Sequence, residues 1–263
     1  MSHIAQRRFG QNFLIDKNIV KKIVNQADIK PDEVVIEIGP GQGAMTSLLA
    51  QKAKRVIAIE LDKDLIQTLN ELSVANPAIS IVYGDALKCY PVIVNELGTN
   101  QYLVVANIPY NITSILIKMI LQVTPHTSRA VLMVQKEVAQ RLVSGPGEMS
   151  LLSLSVQLYA KVKKCFDVSS ASFRPRPNIQ SAVVQLSPVK TNVQTYDPEK
   201  ILSLARCGFA KKRKLLVSNI AEGTSLLRQD IIDAMERCGV QSTARAQDLS
   251  VQQWIELTHQ LLD

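Results

Sequence analysis

The stretch Val34-Val35-Ile36-Glu37-Ile38-Gly39-Pro40-Gly41-Gln42-Gly43 decides the fold of this chain. Its first five residues form a largely β-branched run, which is typical of a strand covered on both faces of a parallel sheet. Three alternate glycines follow and lead into a helix that begins near Ala44. Because glycine has no Cβ, a ligand can lie against bare backbone and the helix N-terminus there. The stretch therefore predicts a site for a nucleotide-like cofactor, with a plain structural turn as the alternative.

The glycine pattern alone leaves two cofactors open. The spacing Gly39-x-Gly41-x-x-Ala44 fits the dinucleotide fingerprint, whereas Glu37-x-Gly39-x-Gly41-x-Gly43 fits enzymes that use S-adenosylmethionine (SAM). Glu60 closes the next apolar run, at the position where a carboxylate can accept hydrogen bonds from both ribose hydroxyls. NAD and SAM both carry that ribose, so these residues predict a ribose-binding carboxylate without choosing between them.

The rest of the first 188 residues alternates between strand and helix patterns. A helix capped by Asp16 precedes Pro31, further strands are predicted at 55–60, 79–84, 102–107 and 130–134, and helices at about 63–74, 113–122 and 135–143. This alternation predicts an α/β fold, a doubly wound, Rossmann-like parallel sheet with helices on both faces. After a helix from about 150, β-rich runs at about 160–168 and 179–187 are expected to finish the sheet as an antiparallel pair.

A linker at 188–192 separates this domain from a second pattern that is helical throughout. Helices are predicted near 198–209, 212–221, 228–237 and 251–262. We therefore expect a cofactor-binding domain over 1–188 and a small all-α domain over 189–263 that contacts RNA.

The charge distribution favours a polyanionic partner. The chain has 30 Lys and Arg against 23 Asp and Glu, a net charge of +7, and the basic residues cluster in 1–30, 150–188 and 211–214. Its four cysteines are spread too widely for a metal knuckle and are too few for a disulfide framework, so we expect a cytoplasmic protein without a metal site. We also expect neither a signal peptide nor a membrane span.

Two further strand ends carry polar groups. Asp85 follows the strand at 79–84, where its carboxylate can accept a hydrogen bond from an adenine amino group or cap a helix. Asn107-Ile108-Pro109-Tyr110 follows the strand at 102–107 and combines an amide, a rigid turn and an aromatic ring. Hydride transfer needs none of these groups, whereas the tetrapeptide resembles the catalytic loop of SAM-dependent methyltransferases that act on exocyclic amines.

The resemblance extends over nearly the whole chain. Its sequence resembles the KsgA-type small-subunit ribosomal RNA adenine dimethyltransferases in four further stretches, which are Arg8–Asp16, Gln135–Leu142, Ser172–Val184 and Phe209–Lys214. This likeness implies SAM as the cofactor, with Asn12 and Leu14 beside its methionine part, Gly39 and Gly41 in its loop, Glu60 on its ribose, Asp85 on its adenine and Asn107 linking it to the target. It also implies that Tyr110 and Phe173 sandwich the target base next to Pro109.

Two residues depart from the family pattern. Ile108 stands where Leu is more usual, and Ile is the form found in the erythromycin-resistance enzymes, which methylate large-subunit ribosomal RNA. Gln247 replaces a common Glu. Neither changes the expected chemistry, because position 108 contributes a backbone carbonyl.

The implied reaction is dimethylation of the 6-amino groups of two adjacent adenosines in small-subunit ribosomal RNA. The amine is a poor nucleophile, so Asn107 and a backbone carbonyl at Ile108 or Pro109 are expected to accept its two N–H bonds and aim its lone pair at the methyl group. We expect a monomer that binds an immature small ribosomal subunit. The alternatives are a large-subunit enzyme of the resistance type and a largely non-enzymatic assembly factor.

Overall fold

The structure is a computed structural model, and it describes residues 12–99, 101–189 and 196–262. Within these ranges the strands are β1 (Phe13–Leu14), β2 (Val34–Ile38), β3 (Arg55–Glu60), β4 (Ile79–Tyr83), β5 (Tyr102–Asn107), β6 (Arg129–Gln135), β7 (Ala160–Val168), β8 (Phe173–Arg174) and β9 (Ser181–Pro188). The helices are α1 (Lys17–Gln26), α2 (Ala44–Ala50), α3 (Ile66–Ala75), α4 (Ala86–Leu97), α5 (Thr113–Gln122), α6 (Lys136–Leu142), α7 (Leu151–Gln157), α8 (Pro198–Gly208), α9 (Leu216–Gly223), α10 (Arg228–Arg237) and α11 (Val251–Leu262).

Seven strands form the main sheet in the order β4-β3-β2-β5-β6-β9-β7. The first five of these pair in parallel, with Ile36 opposite both Ile57 and Val104. Strand β9 pairs antiparallel to β6, with Leu132 opposite Val184, and β7 lies beyond it at the edge. The predicted doubly wound sheet, finished by strands from the 160–188 region, is confirmed.

One face of the sheet is covered by α1 and α2. Helix α1 begins where the sequence predicts, because the Asp16 carboxylate accepts the backbone N–H groups of Asn18 (2.9 Å) and Ile19 (3.3 Å). Its buried side chains Val20 and Val24 pack into one apolar cluster with residues from α2 and from strands β2, β3, β5, β6 and β9. This packing fixes the chain that leads into β2, and thereby the glycine turn at the end of β2.

Helix α4 is absent from the sequence prediction, which passes from the strand at 79–84 directly to the strand at 102–107. The reason is Pro91, which lies inside the helix and removes one backbone donor, so that it normally counts against a helix. The buried spacing of Ala86, Tyr90, Ile93 and Val94 places one apolar face toward the core, and this burial outweighs the proline.

The predicted helix at 212–221 begins later than expected. Helix α9 starts at Leu216, and residues 209–214 form turns in which Lys211 and Lys214 both bind the Glu222 carboxylate, at 2.6 and 2.5 Å. Because the basic run has no apolar residue to bury, it forms an exposed turn instead of the first helical turn.

The chain divides into two compact units. One comprises residues 1–139 and 161–188, and the other comprises 140–160 and 189–263. The segment 140–160 groups with the helical unit because Met149, Leu154 and Leu158 belong to the apolar core around Trp254. The sequence prediction places that segment in the first domain instead. The linker residues 190–192 and the basic residues Arg7 and Arg8 lie outside the described ranges.

Two sequence expectations concern features of the whole chain. Cys89, Cys165, Cys207 and Cys238 are all free thiols. In the part of the chain that the structure describes, no helix is long and apolar enough to cross a membrane.

Candidate active site

A cleft opens at the carboxyl edge of the sheet, where the chain leaves β2, β3 and β5. Parallel strands of an open α/β sheet place their ligand sites at this edge. The space between the walls is about 630 Å³, including volume open to solvent. Seven of the residues predicted from the sequence line it, namely Asn12, Gly39, Gly41, Glu60, Asn107, Pro109 and Tyr110.

The glycine turn forms one wall of this cleft. Gly39, Gly41 and Gly43 all have positive φ angles, of +74°, +58° and +79°, which is the left-handed region that favours glycine. A Cβ at Gly41 would lie 3.1 Å from the Phe13 ring. The turn therefore presents main chain to the cleft, as the sequence predicts.

The Glu60 carboxylate is held by three backbone N–H groups. Its Oε2 accepts from Gly41 (3.1 Å), and its Oε1 accepts from Leu61 and Asp62 (both 2.9 Å). Burial raises the pKa of Glu60, and the three N–H donors oppose that rise because they stabilise the charged form. This carboxylate thus ties the end of β3 to the glycine turn while it lines the cleft.

Glu37 is buried beneath the same turn. The carboxyl is fully inaccessible to solvent, and neither of its oxygens has a hydrogen-bond partner among the described residues. Burial raises the pKa of Glu37 to about 8, because no described residue donates a hydrogen bond that would stabilise its charged form. Glu37 is therefore mostly protonated at neutral pH.

The loop after β5 is fixed by its main chain. The Ile108 N–H donates to the Met133 carbonyl (3.1 Å), and the Pro109 carbonyl accepts from the Ile112 N–H (3.2 Å) and the Thr113 hydroxyl (3.3 Å). The Asn107 Nδ2 donates to the Asn12 carbonyl (3.4 Å), which assigns the other end of the amide as an acceptor. Among the described residues no donor reaches the Ile108 carbonyl, so this oxygen and Asn107 Oδ1 both keep accepting capacity.

Tyr110 lies on the short turn that follows Pro109, and its phenol reaches a different strand. Its hydroxyl forms a 2.8 Å hydrogen bond with the Ser181 hydroxyl at the start of β9. Sequence analysis misses this contact, because 71 residues separate the two side chains.

Three predicted site residues do not line the cleft. Leu14 packs beside the apolar cluster under the sheet, and the Asp85 carboxylate caps α4 by accepting the Leu87 N–H at 2.9 Å. Phe173 is only 4% exposed and packs in that same apolar cluster. A ring this buried presents little surface to a base, so the sandwich of Tyr110 and Phe173 stays a prediction that requires Phe173 to become more exposed.

Phe13 and Leu61 line the cleft although the sequence analysis gives them no role. Leu61 directly follows Glu60 and is 51% exposed, which is unusual for a leucine at a strand end. An apolar residue next to the carboxylate predicted to bind the ribose is a signal that could have identified Leu61 from the sequence.

The amino-terminal wall of the cleft is joined to the Phe173 segment. Strands β1 and β8 pair antiparallel, with Phe13 opposite Arg174 and Leu14 opposite Phe173, and the Ile15 N–H donates to the Ser172 carbonyl (2.9 Å). The segment carrying Asn12 is thereby held next to the segment predicted to meet the target. Residues 8–11 of the predicted amino-terminal signature lie outside the described ranges.

A family model described as ribosomal RNA adenine dimethylase matches residues 2–263 of this chain. The chain belongs to the ribosomal RNA adenine dimethylase family. It is accordingly an enzyme that transfers methyl groups from SAM to adenine in ribosomal RNA, and SAM rather than NAD is its cofactor. The family resemblance, activity and cofactor predicted from the sequence are thus confirmed.

Individual relatives agree with this membership of the ribosomal RNA adenine dimethylase family. A ribosomal RNA small subunit methyltransferase A from Dehalococcoides mccartyi is 38% identical, over 95% of this chain and 86% of that protein. The protein of the same name from Lachnoclostridium phytofermentans is 37% identical, over 97% and 90%.

Two solved structures share the architecture of this dimethylase. A dimethyladenosine transferase from Plasmodium falciparum has a TM-score of 0.79 and 28% identity, over 93% of this chain and 95% of that one. The 23S rRNA methyltransferase ErmE has a TM-score of 0.75, over 96% and 100%, but its 24% identity supports a common fold alone.

Proposed function

We propose that this enzyme dimethylates the 6-amino groups of two adjacent adenosines in small-subunit ribosomal RNA. It acts as a monomer on an immature small ribosomal subunit in the cytoplasm. The choice of subunit is supported by the relatives named for the small subunit, which are 37% and 38% identical to this chain, against 24% for the large-subunit enzyme. A site that accepts the monomethyl amine and then a neighbouring base would give that product.

The cofactor contacts proposed for this chain follow the walls of the cleft. When bound, SAM supplies an activated methyl group on a sulfonium centre. The bare backbone of the glycine turn and the buried carboxylate of Glu60 suit such a ligand, because one admits close approach and the other accepts hydroxyl hydrogen bonds. The cleft-lining residues that would hold it are Asn12, Gly39, Gly41, Glu60 and Asn107. Leu14 and Asp85, which the family resemblance also implies, do not line the cleft, so our account does not rely on them.

Asn107 and Ile108 supply the two acceptors for the target amine. The Asn107 amide is oriented by its bond to the Asn12 carbonyl, so Oδ1 is its accepting atom. Of the two carbonyls considered from the sequence, that of Pro109 already accepts the Ile112 N–H and shares the Thr113 hydroxyl hydrogen, whereas no described donor reaches that of Ile108. Two accepted N–H bonds localise the lone pair of the amine and fix its direction, so no strong base is needed.

The base must leave its stack to reach these acceptors, at a cost of a few kcal/mol. Stacking of the base on the Tyr110 ring contributes about 1 to 3 kcal/mol, which offsets part of that cost. Phe173 could join Tyr110 only after leaving the core, so our account relies on Tyr110 for this contact.

Exposed basic side chains in each of the two units provide affinity for the RNA backbone. Arg174 and Arg176 follow Phe173 and are exposed, as are Lys212 and Arg213 in the helical unit. Phosphate contacts of this kind make binding salt-dependent.

The observation that carries the proposal is the position of Asn107 in the cleft, with its amide tied to the amino-terminal wall. Asn107→Ala should therefore abolish methyl transfer to unmethylated small subunits, while the subunits still bind. The exposed Asn95→Ala in α4 is the matched control and should keep wild-type activity. Methyl transfer by Asn107→Ala at the wild-type rate would contradict the proposal.

A further inference from the structure

Tyr110 is anchored at both ends. Its carbonyl shares the Thr113 hydroxyl hydrogen with the Pro109 carbonyl, at 3.2 and 3.3 Å, and its phenol hydroxyl bonds to Ser181 Oγ at 2.8 Å. The ring between these two anchors is half-buried and lines the cleft. A ring that is held at both ends keeps one face in a fixed direction.

Ser181 lies at the start of β9, inside the sheet. It is fully buried and pairs with Gln135 across the β6–β9 ladder. The preceding residue, Gln180, accepts the Lys136 N–H at its carbonyl (3.0 Å) and the Lys136 ammonium at its side chain (2.9 Å). The hydroxyl that bonds to Tyr110 is therefore carried by a strand of the sheet and not by a loop.

The Ser181 hydroxyl has no other hydrogen-bond partner among the described residues. A buried hydroxyl without a partner is unfavourable, so each of the two side chains satisfies the other. A bond between a cleft-lining ring and the buried Ser181 is not needed to hold the loop, whose main chain is already bonded to Met133 and Thr113.

We propose that Ser181 is a positioning residue that orients the ring of Tyr110 against the adenine to be methylated. This inference rests on the proposed function, because it assumes that Tyr110 contacts the target base. Reacting groups must be held within a fraction of an ångström and a few tens of degrees, and supporting hydrogen bonds supply that precision.

The test is a double-mutant cycle with Tyr110→Phe, Ser181→Ala and both together. The substrate is small ribosomal subunits from a strain that lacks these methyl groups, and single-turnover rates are measured at saturating SAM. Each single variant should slow methyl transfer by about 3- to 10-fold, the effect of losing one neutral hydrogen bond. The double variant should be no slower than either single one, because both remove the same bond.

If Ser181 had a merely structural role, its substitution would change the binding of SAM or of the subunits. Dissociation constants for SAM and for the subunits should stay within about twofold of wild type, so that only the rate of the bound complex falls. The matched controls are Ser128→Ala, which loses a 2.7 Å bond to the Tyr102 carbonyl at the opposite edge of the sheet, and Tyr196→Phe, which loses a 3.0 Å bond to the Leu158 carbonyl. Both should keep the wild-type rate.

Wild-type rates in Tyr110→Phe, or losses that multiply in the double variant, would overturn the role of Ser181. If Ser181→Ala does not fold, Tyr110→Phe alone decides, because it keeps the half-buried ring. Tyr110→Ala separates the two proposals. If removing the ring leaves the rate unchanged, the proposed contact of Tyr110 with the base is wrong; if it slows the reaction while Tyr110→Phe does not, only the role of Ser181 is wrong.

Discussion

Glu60→Gln changes one atom at the point where the glycine turn meets the end of β3. The wild-type carboxylate accepts one N–H at Oε2, from Gly41, and two at Oε1, from Leu61 and Asp62. A glutamine keeps a single acceptor oxygen, and placing that oxygen at the Oε1 position satisfies both the Leu61 and the Asp62 N–H groups. The glutamine NH₂ group then faces the Gly41 N–H, and since both groups are donors no hydrogen bond forms between them.

The magnitude follows from that count. The variant loses one hydrogen bond to a charged acceptor, which contributes about 1.5 to 3 kcal/mol. The Gly41 bond is lost in the free and in the SAM-bound variant alike, whereas the hydrogen bond that the ribose would make to the Glu60 carboxylate is of the same size and is lost only in the complex. Affinity for SAM should therefore fall by about 10- to 150-fold, since about 1.4 kcal/mol corresponds to tenfold.

Calorimetric titration with SAM measures this effect directly. The matched control is Glu71→Gln in α3, an exposed carboxylate that accepts one bond from Gln67 (3.1 Å), and it should bind SAM like wild type. Because burial raises the pKa of Glu60, wild-type affinity should also fall toward that of the variant as the pH is lowered through this pKa. Equal affinities of Glu60→Gln and wild type at neutral pH would refute the reasoning.

Three other substitutions test the framework of the site. Burial raises the pKa of Glu37 from 4.5 to about 8, so between these two pH values the folded chain keeps a proton that the unfolded chain releases. As the pH rises from 4.5 to 8, wild type should therefore lose roughly 1 kcal/mol of unfolding free energy per pH unit relative to Glu37→Gln. Parallel pH profiles of unfolding free energy for the two proteins would contradict this. Arg129 bonds both Glu33 oxygens, so Arg129→Ala should lower the free energy of unfolding by about 3 kcal/mol in urea titrations, whereas the exposed Arg55→Ala should change it by about 0.5 kcal/mol or less. Gly41→Ala and Gly98→Ala both place an alanine at a φ of +58°, which costs about 1 to 2 kcal/mol. Only the new Cβ at position 41 meets another side chain, so only Gly41→Ala should weaken SAM binding. Equal SAM affinities of the two variants would show that the turn does not hold the cofactor.

The parts of the fold that the sequence predicts are those with local signals. Strands β2, β3 and β5 match their predicted ranges, because each is an apolar run that ends in glycine or in a polar residue. Parallel strands share a carboxyl edge, so the strand pattern alone is enough to place Gly39, Glu60 and Asn107 together. Seven site residues indeed meet in one cleft.

The parts that the sequence misses depend on contacts between distant residues. Local propensity counts Pro91 against a helix, and only the burial of one face of α4 outweighs it. The bond between Tyr110 and Ser181 requires the register of β9 against β6, which no local pattern specifies. Phe173 resembles a base-stacking residue in sequence, yet its side chain fills the core.

Mass mapping of ribosomal RNA tests the central claim most directly. The gene for this chain would be expressed in a bacterium that has lost its own small-subunit adenine dimethyltransferase, with Asn107→Ala as the inactive comparison. Our account predicts that wild type restores N6,N6-dimethyladenosine at two adjacent positions of small-subunit ribosomal RNA and that the variant restores neither. Methyl groups that appear in large-subunit ribosomal RNA, or that appear equally with Asn107→Ala, would contradict it.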